Sequence, residues 1–482
     1  MKTRTEAAAL AALAAFCLLR IYLGIAHEPM IGMANNGDFE RVMATAGIGY
    51  PSGAAAYADK YFGYAIFEYA NVPWGFGGYP STHLLFLFAA KVVNAALFGG
   101  DAFRIAALGA VYGVCLAAAI SVIYTGLSAA RPLRLAIAAA LAFLFTDVGY
   151  VAYFHSLYGE PASLLGFLFA IGFALHARRG SRTALTLFAA AAILCIGAKA
   201  QNAPLAAAFA ALPLLAPRPA GTRGRRAALA AAAAVLLAGA AMYAAAPKEL
   251  KRINLYQTVF YGILKHSDDV AADLRELGLP EELAPLAGTN YFEAGTAIPQ
   301  SSPRLTALFY DRIGHGDVLR YYAANPLRFV ERLARAAEHS TTIRPYYVGS
   351  YAKEAGKPAG AVHLEGAWWS EWKRANVPAS APFAAAVALA YAALASSRRA
   401  CARAGLDPAC RAPLLAVPCV AAIAYVTPIL GDGDADLAKH LFLYNAAFDF
   451  MAATGAALLA AVLARTAAAA AKRRRRAASR TA

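Results

Sequence analysis

Two carboxylates two residues apart, just behind a glycine, are the first feature with chemical capacity: Asn35-Asn36-Gly37-Asp38-Phe39-Glu40-Arg41. Such a pair suits base catalysis or cation binding. It also suits a helix start, with Asp38 as cap and Glu40 in a first turn where the helix dipole favours acids. A second group, Tyr153-Phe154-His155-Ser156-Leu157-Tyr158-Gly159-Glu160, gathers His155, Tyr158 and Glu160. Tyrosine there equally fits an interfacial aromatic belt, and Glu160 before Pro161 equally opens a helix. The third group is Gly431-Asp432-Gly433-Asp434-Ala435-Asp436-Leu437-Ala438-Lys439-His440. Its D-x-D-x-D spacing matches part of a calcium loop, but the remaining ligand positions are missing. Lys439 and His440 are placed to grip a phosphate at headgroup depth, the lysine as a point charge. Asn445 and Asp449 fall about one turn apart in the apolar run that follows, where a buried ionisable group is functional by default. Four further groups, Lys265-His266, Asp311-Arg312, Arg344-Pro345-Tyr346-Tyr347 and Trp368-Trp369, mix aromatic and charged side chains. They suit stacking on sugar rings, or more simply the membrane interface.

The elements that must position these groups are apolar. Of 482 residues 60% are hydrophobic and 15% charged, against about a quarter charged in soluble domains. The apolar residues come in blocks such as Ala7–Ile25, Ile105–Tyr124, Leu135–Phe145, Ala227–Ala246 and Leu441–Leu463. A bilayer needs about 20 such residues per helix, because lipid offers the backbone no other hydrogen-bond partner. The first block lacks a small-x-small cleavage site and reads as a retained helix. Ten spans follow, near 6–25, 103–126, 133–151, 161–177, 182–198, 203–216, 226–246, 381–397, 412–430 and 441–464. The sixth, bounded by Pro204, Pro213 and Pro217, is short enough to be broken or tilted.

Charge sets the orientation. Six clusters between the blocks hold 22 basic residues against two acids, Glu6 and Asp407. They are Lys2/Arg4, Arg131/Arg134, Arg178/Arg179/Arg182, Arg218/Arg223/Arg225/Arg226, Arg398/Arg399/Arg403/Arg411, and the tail from Arg465 to Arg480. That asymmetry is the positive-inside pattern, and it explains the net charge of +16 without nucleic acid. All six share one side only if Ser81–Phe98, which carries His83, Lys91 and Asn94, lies along the membrane instead of crossing it. The expected fold is therefore an all-α polytopic membrane protein of about ten transmembrane helices, with a juxtamembrane helix in outer loop 1. The domains expected are 1–246 with outer loop 26–100, an outer insert 247–380, spans in 381–464 and a basic cytoplasmic tail 465–482. Between Pro247 and Ala381 the insert has 16 basic and 15 acidic residues. Ser267–Leu277 and Gly316–His339 look helical, the latter split by Pro326, with Phe329, Leu333 and Ala337 as an apolar stripe packed on the membrane or on the insert's own core. None of the six cysteines lies in the insert, so no disulfide framework is implied.

With the acid motif after span one, the segment Tyr79–Phe98 and Glu160 at the outer end of span three, the chain resembles the GT-C superfamily. These are membrane glycosyltransferases that use polyprenyl-phosphate-linked sugars. More narrowly, Asn35–Arg41, Ser156–Glu160, Leu277–Phe292, Tyr322–Phe329 and Lys439–Asn445 resemble bacterial hexosyltransferases of glycan and S-layer-glycan biosynthesis. The resemblance implies an inverting sugar transfer at the outer face of the cytoplasmic membrane, both chain termini being cytoplasmic. The donor would be a polyprenyl-phosphate-linked sugar, the acceptor a glycan, and membrane lipid the surroundings. Asp38 matches the catalytic base, with Glu40 and Glu160 as further catalytic carboxylates. Lys439 and His440, with Arg344 behind them, match the groups that stabilise the phosphate leaving group; His155, Tyr158, Asn445 and Asp449 complete the substrate-binding set. Gly-Asp-Phe-Glu departs from the tighter acid pair of many relatives, no metal ligand is named, and a divalent cation stays open. Two rivals are weighed beside this reading. An O-antigen ligase or polymerase would rely on Arg and His of the large loop, and a lipid-linked glycan flippase or transporter on charges buried in mid-span.

Overall fold

The computed structural model describes residues 2–75, 78–177, 181–215 and 222–481. Arg178, Arg179, Pro217 and Arg218 of the sequence reading lie outside the described residues, as do the side chains of Lys2, Arg223, Arg473 and Arg480. Among the described residues six helices are long and apolar enough to cross a membrane: Arg4–Ala26, Ile105–Gly126, Glu160–Ala177, Gly224–Ala245, Pro408–Asp432 and Phe442–Arg476. Two bent pairs, Arg131–Phe145 with Val148–His155 and Trp368–Asn376 with Ala381–Ser396, raise the number to eight. Arg182–Ala198 and Leu205–Leu215 are apolar but shorter, so the expected ten is reached only by counting them as well. Pro213 lies within the second of these. The molecule is a polytopic helical membrane protein.

The segment that decides the topology is the 16-residue helix His83–Phe98. At its start, Ser81 and Thr82 hydroxyls donate to the carbonyls of Ala198 and Leu194, at the C-terminal end of Arg182–Ala198. Near its other end Asn94 donates to the Ala102 carbonyl and accepts from Arg104 N–H, immediately before the helix that begins at Ile105. Helices Ile105–Gly126, Arg131–Phe145, Glu160–Ala177 and Arg182–Ala198 alternate in direction, so Ile105 and Ala198 share one end of the bundle. Helix His83–Phe98 therefore runs along that end without crossing. Lys91 fixes it to loop 1 by donating to the carbonyls of Ala46 and Gly47.

A three-stranded antiparallel sheet, which periodicity did not predict, closes the loop: β1 Ile48–Gly49, β2 Glu68–Asn71 and β3 Ala102–Arg104. Ile48 pairs with Asn71, and Tyr69 with Phe103. Strands of two to four residues are too short to show alternation.

The region 247–380 does not pack as one body. Residues from Leu255 to Tyr322 form a hydrophobic cluster of their own, whereas Ala336, Ala337, Ile343, Val348 and Ala367 join the core of the bundle. The expected helix pair is present as His315–Ala324 and Pro326–Ala336. Its apolar stripe joins the two cores: Phe329 packs on the insert's cluster, Leu333 and Ala337 on the bundle.

Candidate functional site

Loop 1 is shaped by one side chain. Asn35, 1% exposed, accepts from the backbone N–H groups of Gly37 and Phe39 at 2.8 and 3.1 Å. Its amide nitrogen donates to Glu40 at 3.0 Å and to the Tyr50 hydroxyl at 2.8 Å. Gly37, at φ +104°, allows the turn that brings Asp38 round. Asn35→Ala would leave the buried Phe39 N–H unpaired and free the exposed Gly37 N–H to water, and we expect a loss of about 1–3 kcal/mol, read as a lowered Tm in detergent.

Asp38 faces the loop after the helix Arg411–Asp432. That loop is pinned where Gly433 passes so close to the Gln257 carbonyl that a Cβ would lie 2.4 Å from it. It continues through Asp436, in the left-handed region at φ +49°, into the short helix Leu437–His440. Lys439, 1% exposed, thereby reaches Asp38 at 2.6 Å and Asp436 at 2.7 Å, its ammonium 5.0 Å from the centre of the Tyr158 ring. Arg41 holds the other Asp38 oxygen at 2.9 Å, and Asn36 donates to Asp436 at 2.8 Å. Two carboxylates thus share one ammonium. Burial alone would raise the pKa of Asp38, but the charges of Arg41 and Lys439 outweigh it and hold the carboxyl well below the usual range. For Asp436 burial prevails and pushes the carboxyl up, Lys439 opposing it only in part. Burial disfavours the Lys439 ammonium, yet Asp38 and Asp436 keep its pKa above the ordinary lysine value.

The turn Lys199–Gln201 completes the wall. Lys199 pairs with Glu160 at 2.6 Å, and Gln201 donates to the His440 carbonyl at 2.8 Å. His440 meets Asp432 at 2.9 Å through Nε2. Burial, followed by the charges of Lys199 and Lys439, lowers its pKa well below the ordinary value. Its Nδ1 is buried without a hydrogen-bond partner. Burial thus disfavours charge on His440, and the cations beside Lys439 in this wall are Arg41 and Lys199.

Asp38, Arg41, Lys199, Asp432, Asp436, Lys439 and His440 all line one cavity of about 650 Å³. Beside it lies a second cavity of about 770 Å³, lined largely by Ala, Leu, Ile and Val side chains of 204–250 and 422–430. The two share Ala200, Gln201, Leu250, Asn254, Thr427 and Gly431, so a charged chamber adjoins an apolar one. A family profile described as the YfdI N-terminal transmembrane domain matches residues 1–477. The chain belongs to that family. No curated protein and no solved structure matches it.

For this member of the YfdI N-terminal transmembrane domain family, the remaining sequence-selected residues fall in three places. Glu160 and Tyr158 stand directly behind the charged wall, beneath Lys199 and Lys439, and Tyr158 ties itself to the Ala34 carbonyl at 2.8 Å. Glu40 does not line the cavity: Asn35 and Tyr50 hold its carboxylate, so it shapes the loop. His155, Arg344, Asn445 and Asp449 are buried outside both cavities. His155 binds the Ile31 carbonyl at 2.8 Å, and Arg344 donates to the His363 carbonyl. Asp449 is enclosed by Lys373 at 2.7 Å, Tyr150 at 2.6 Å and Trp369 at 2.8 Å, with Asn445 accepting from the same lysine at 2.7 Å. That network fastens the helix Trp368–Asn376 to the last span. The three aspartates of 432–436 go to three different partners, Asp434 to Arg332 at 2.5 Å and His266 at 2.6 Å. Among the described residues no group of three or more His, Cys, Asp or Glu is arranged to hold a metal ion.

Proposed function

We propose that the protein is a GT-C-type glycosyltransferase that moves a sugar from a polyprenyl-phosphate-linked donor to a glycan acceptor at the outer face of the cytoplasmic membrane. The observation that carries this reading is the pair of adjoining cavities. An isoprenoid chain needs an apolar groove at membrane depth, a phosphodiester needs cations at its end, and the acceptor hydroxyl needs a base beside them. The apolar cavity, the set Arg41, Lys199 and Lys439, and Asp38 offer these features in two adjoining cavities.

In the reaction the acceptor O–H gives its proton to Asp38 and its oxygen attacks the anomeric carbon from the face opposite the phosphate. The carbon–oxygen bond to phosphate breaks, and the electron pair remains on a phosphate oxygen, giving inversion. Lys439, Arg41 and Lys199 stabilise that growing charge. In the free protein carboxylates occupy all three cations, at 2.6 to 2.9 Å. An arriving phosphodiester exchanges with these carboxylates. As Lys439 and Arg41 turn to phosphate, Asp38 loses the charges that depress its pKa and becomes a competent base.

The test is sugar transfer in proteoliposomes with synthetic polyprenyl-phosphate hexoses, nucleotide-linked hexoses serving as the competing donors. Val426, which lines only the apolar cavity, supplies the variant. Val426→Phe should raise KM for a long-chain donor about tenfold, through overpacking of about 1–3 kcal/mol, and leave a two-isoprene donor unaffected. Transfer from a nucleotide sugar alone would overturn the reading.

A further inference from the structure

Four side-chain oxygens of residues that line the charged cavity are buried and without a hydrogen-bond partner: Asn36 Oδ1, Gln257 Oε1, Asp432 Oδ1 and Asp436 Oδ1. The two amide oxygens can only accept, so their natural complement is a ligand rich in O–H groups. Gln257 is 4% exposed, which makes its free oxygen part of a built wall and not a wet surface. The same cavity is rimmed by aromatic rings from two separate segments. Tyr57, Tyr61 and Phe62 come from loop 1, and Phe292 and Tyr347 come from the insert. Tyr57, Phe292 and Tyr347 are exposed. None of the five lines the apolar cavity.

These rings form a continuous surface. Tyr57 lies 5.0 Å from Tyr61 and is stacked at 27° on Phe62 at 6.3 Å; Phe62 is 6.2 Å from Tyr347 across the gap between segments. Phe62 occupies the left-handed region at φ +61°, a conformation unfavourable for a bulky side chain. Two backbone bonds hold it there: its N–H donates to Asn35 and its carbonyl accepts from Gly349, at 2.8 and 2.7 Å. The residue that shapes the Asp38 turn thus also anchors the aromatic rim.

Resting on the glycosyltransferase reading, we infer that this rim is the acceptor subsite, and that it takes an oligosaccharide by stacking at least two consecutive sugar rings on Tyr57, Phe62 and Tyr347 while hydroxyls reach the unpaired oxygens below. Sugar rings present C–H faces to aromatic side chains and hydroxyls at their edges, which is the combination offered here. A lipid tail would leave the four oxygens unpaired.

The experiment uses the full chain in detergent and the double variant Tyr57→Ala/Tyr347→Ala, at positions outside the catalytic set. Saturation-transfer NMR is recorded with neutral hexose oligosaccharides of one to four rings and with a polypeptide of matching length. Thermal stabilisation by polyprenyl phosphate, measured on the same sample, reports separately on the donor reading. The inference expects ring C–H contacts for chains of two or more sugars and at least about a tenfold loss of that affinity in the variant, with stabilisation by polyprenyl phosphate unchanged. Contacts equal in the variant, absent for every oligosaccharide, or seen with the polypeptide instead would overturn it. In that case intact stabilisation by polyprenyl phosphate would leave the donor reading standing.

Discussion

Asp38→Asn is expected to abolish sugar transfer, lowering kcat by roughly a thousandfold or more, while the protein still inserts and keeps its Tm within a few degrees. The amide fills the same space but cannot accept the acceptor's proton. It also removes the anion that Lys439 and Arg41 neutralise at 2.6 and 2.9 Å. Those cations then meet an incoming phosphate without competition, so KM for the polyprenyl-phosphate donor should fall as kcat collapses. A structural role for Asp38 would give the opposite pattern, a raised KM with a lower Tm and a residual kcat. Asp436→Asn separates the two carboxylates. Asp436 anchors Lys439 through 2.7 Å and accepts from Asn36, so its loss should cost about tenfold in kcat/KM and not abolish turnover. If Asp436→Asn is the dead variant and Asp38→Asn turns over, the base assignment passes to Asp436.

The parts of this site that could be read from sequence are those whose type and local setting already limit their role. An acid pair behind a glycine just after a span, and a lysine at the start of another, stand out against apolar neighbours. The structure joins Asp38 to Lys439 across 401 residues. Arg41 was inside the first motif, yet its pairing with Asp38 depends on the turn that Asn35 builds. Lys199 belongs to none of the sequence groups with chemical capacity. Its signal was a polar run, Lys199-Ala200-Gln201-Asn202, in a stretch with little other polarity, and its value appears once Glu160 lies 2.6 Å away.

Asp449 shows the opposite case. A carboxylate inside a span is functional by default only while its partner is unknown. Lys373, on a helix of the insert some eighty positions earlier, supplies that partner and turns a candidate substrate contact into a fastening. The partners of Glu40 and His155 are hidden in the same way, since one hydrogen bond from Tyr50 or to the Ile31 carbonyl is invisible to spacing. The spans were legible because lipid forces a single solution on the backbone. The small sheet and the two-part insert were not, because each rests on pairings distant in sequence.

Lys439→Met is expected to be the most damaging single change to stability. Lys439 has a 1% exposed side chain and lies between two carboxylates that are each 16% exposed. Removing one member of a buried ion pair costs about 3–5 kcal/mol, because the remaining charge is left uncompensated; here Asp436 loses its ammonium partner and Asp38 keeps Arg41 alone. The variant should show a Tm lowered by several degrees and no measurable donor binding. Its pH dependence carries a sign. In the wild type Asp38 has a depressed pKa, so its contribution is present above the unfolded value near about 4 and is lost only as pH falls through the lower folded value. Without Lys439 the main depressing charges fall to Arg41 alone, and the repulsion between Asp38 and Asp436 raises at least one folded pKa. The folded variant then binds more protons than its unfolded chain above about pH 4, and its stability falls as pH rises through that folded value. The deficit against wild type should therefore shrink when Tm is measured at about pH 5 instead of about pH 8. Adding Asp436→Asn to Lys439→Met should restore part of the Tm by removing the carboxylate left without its ammonium, yet leave transfer absent, because the phosphate leaving group has lost its nearest cation. A double variant that recovers both stability and turnover would show that Lys439 only balances Asp436 and takes no part in the chemistry.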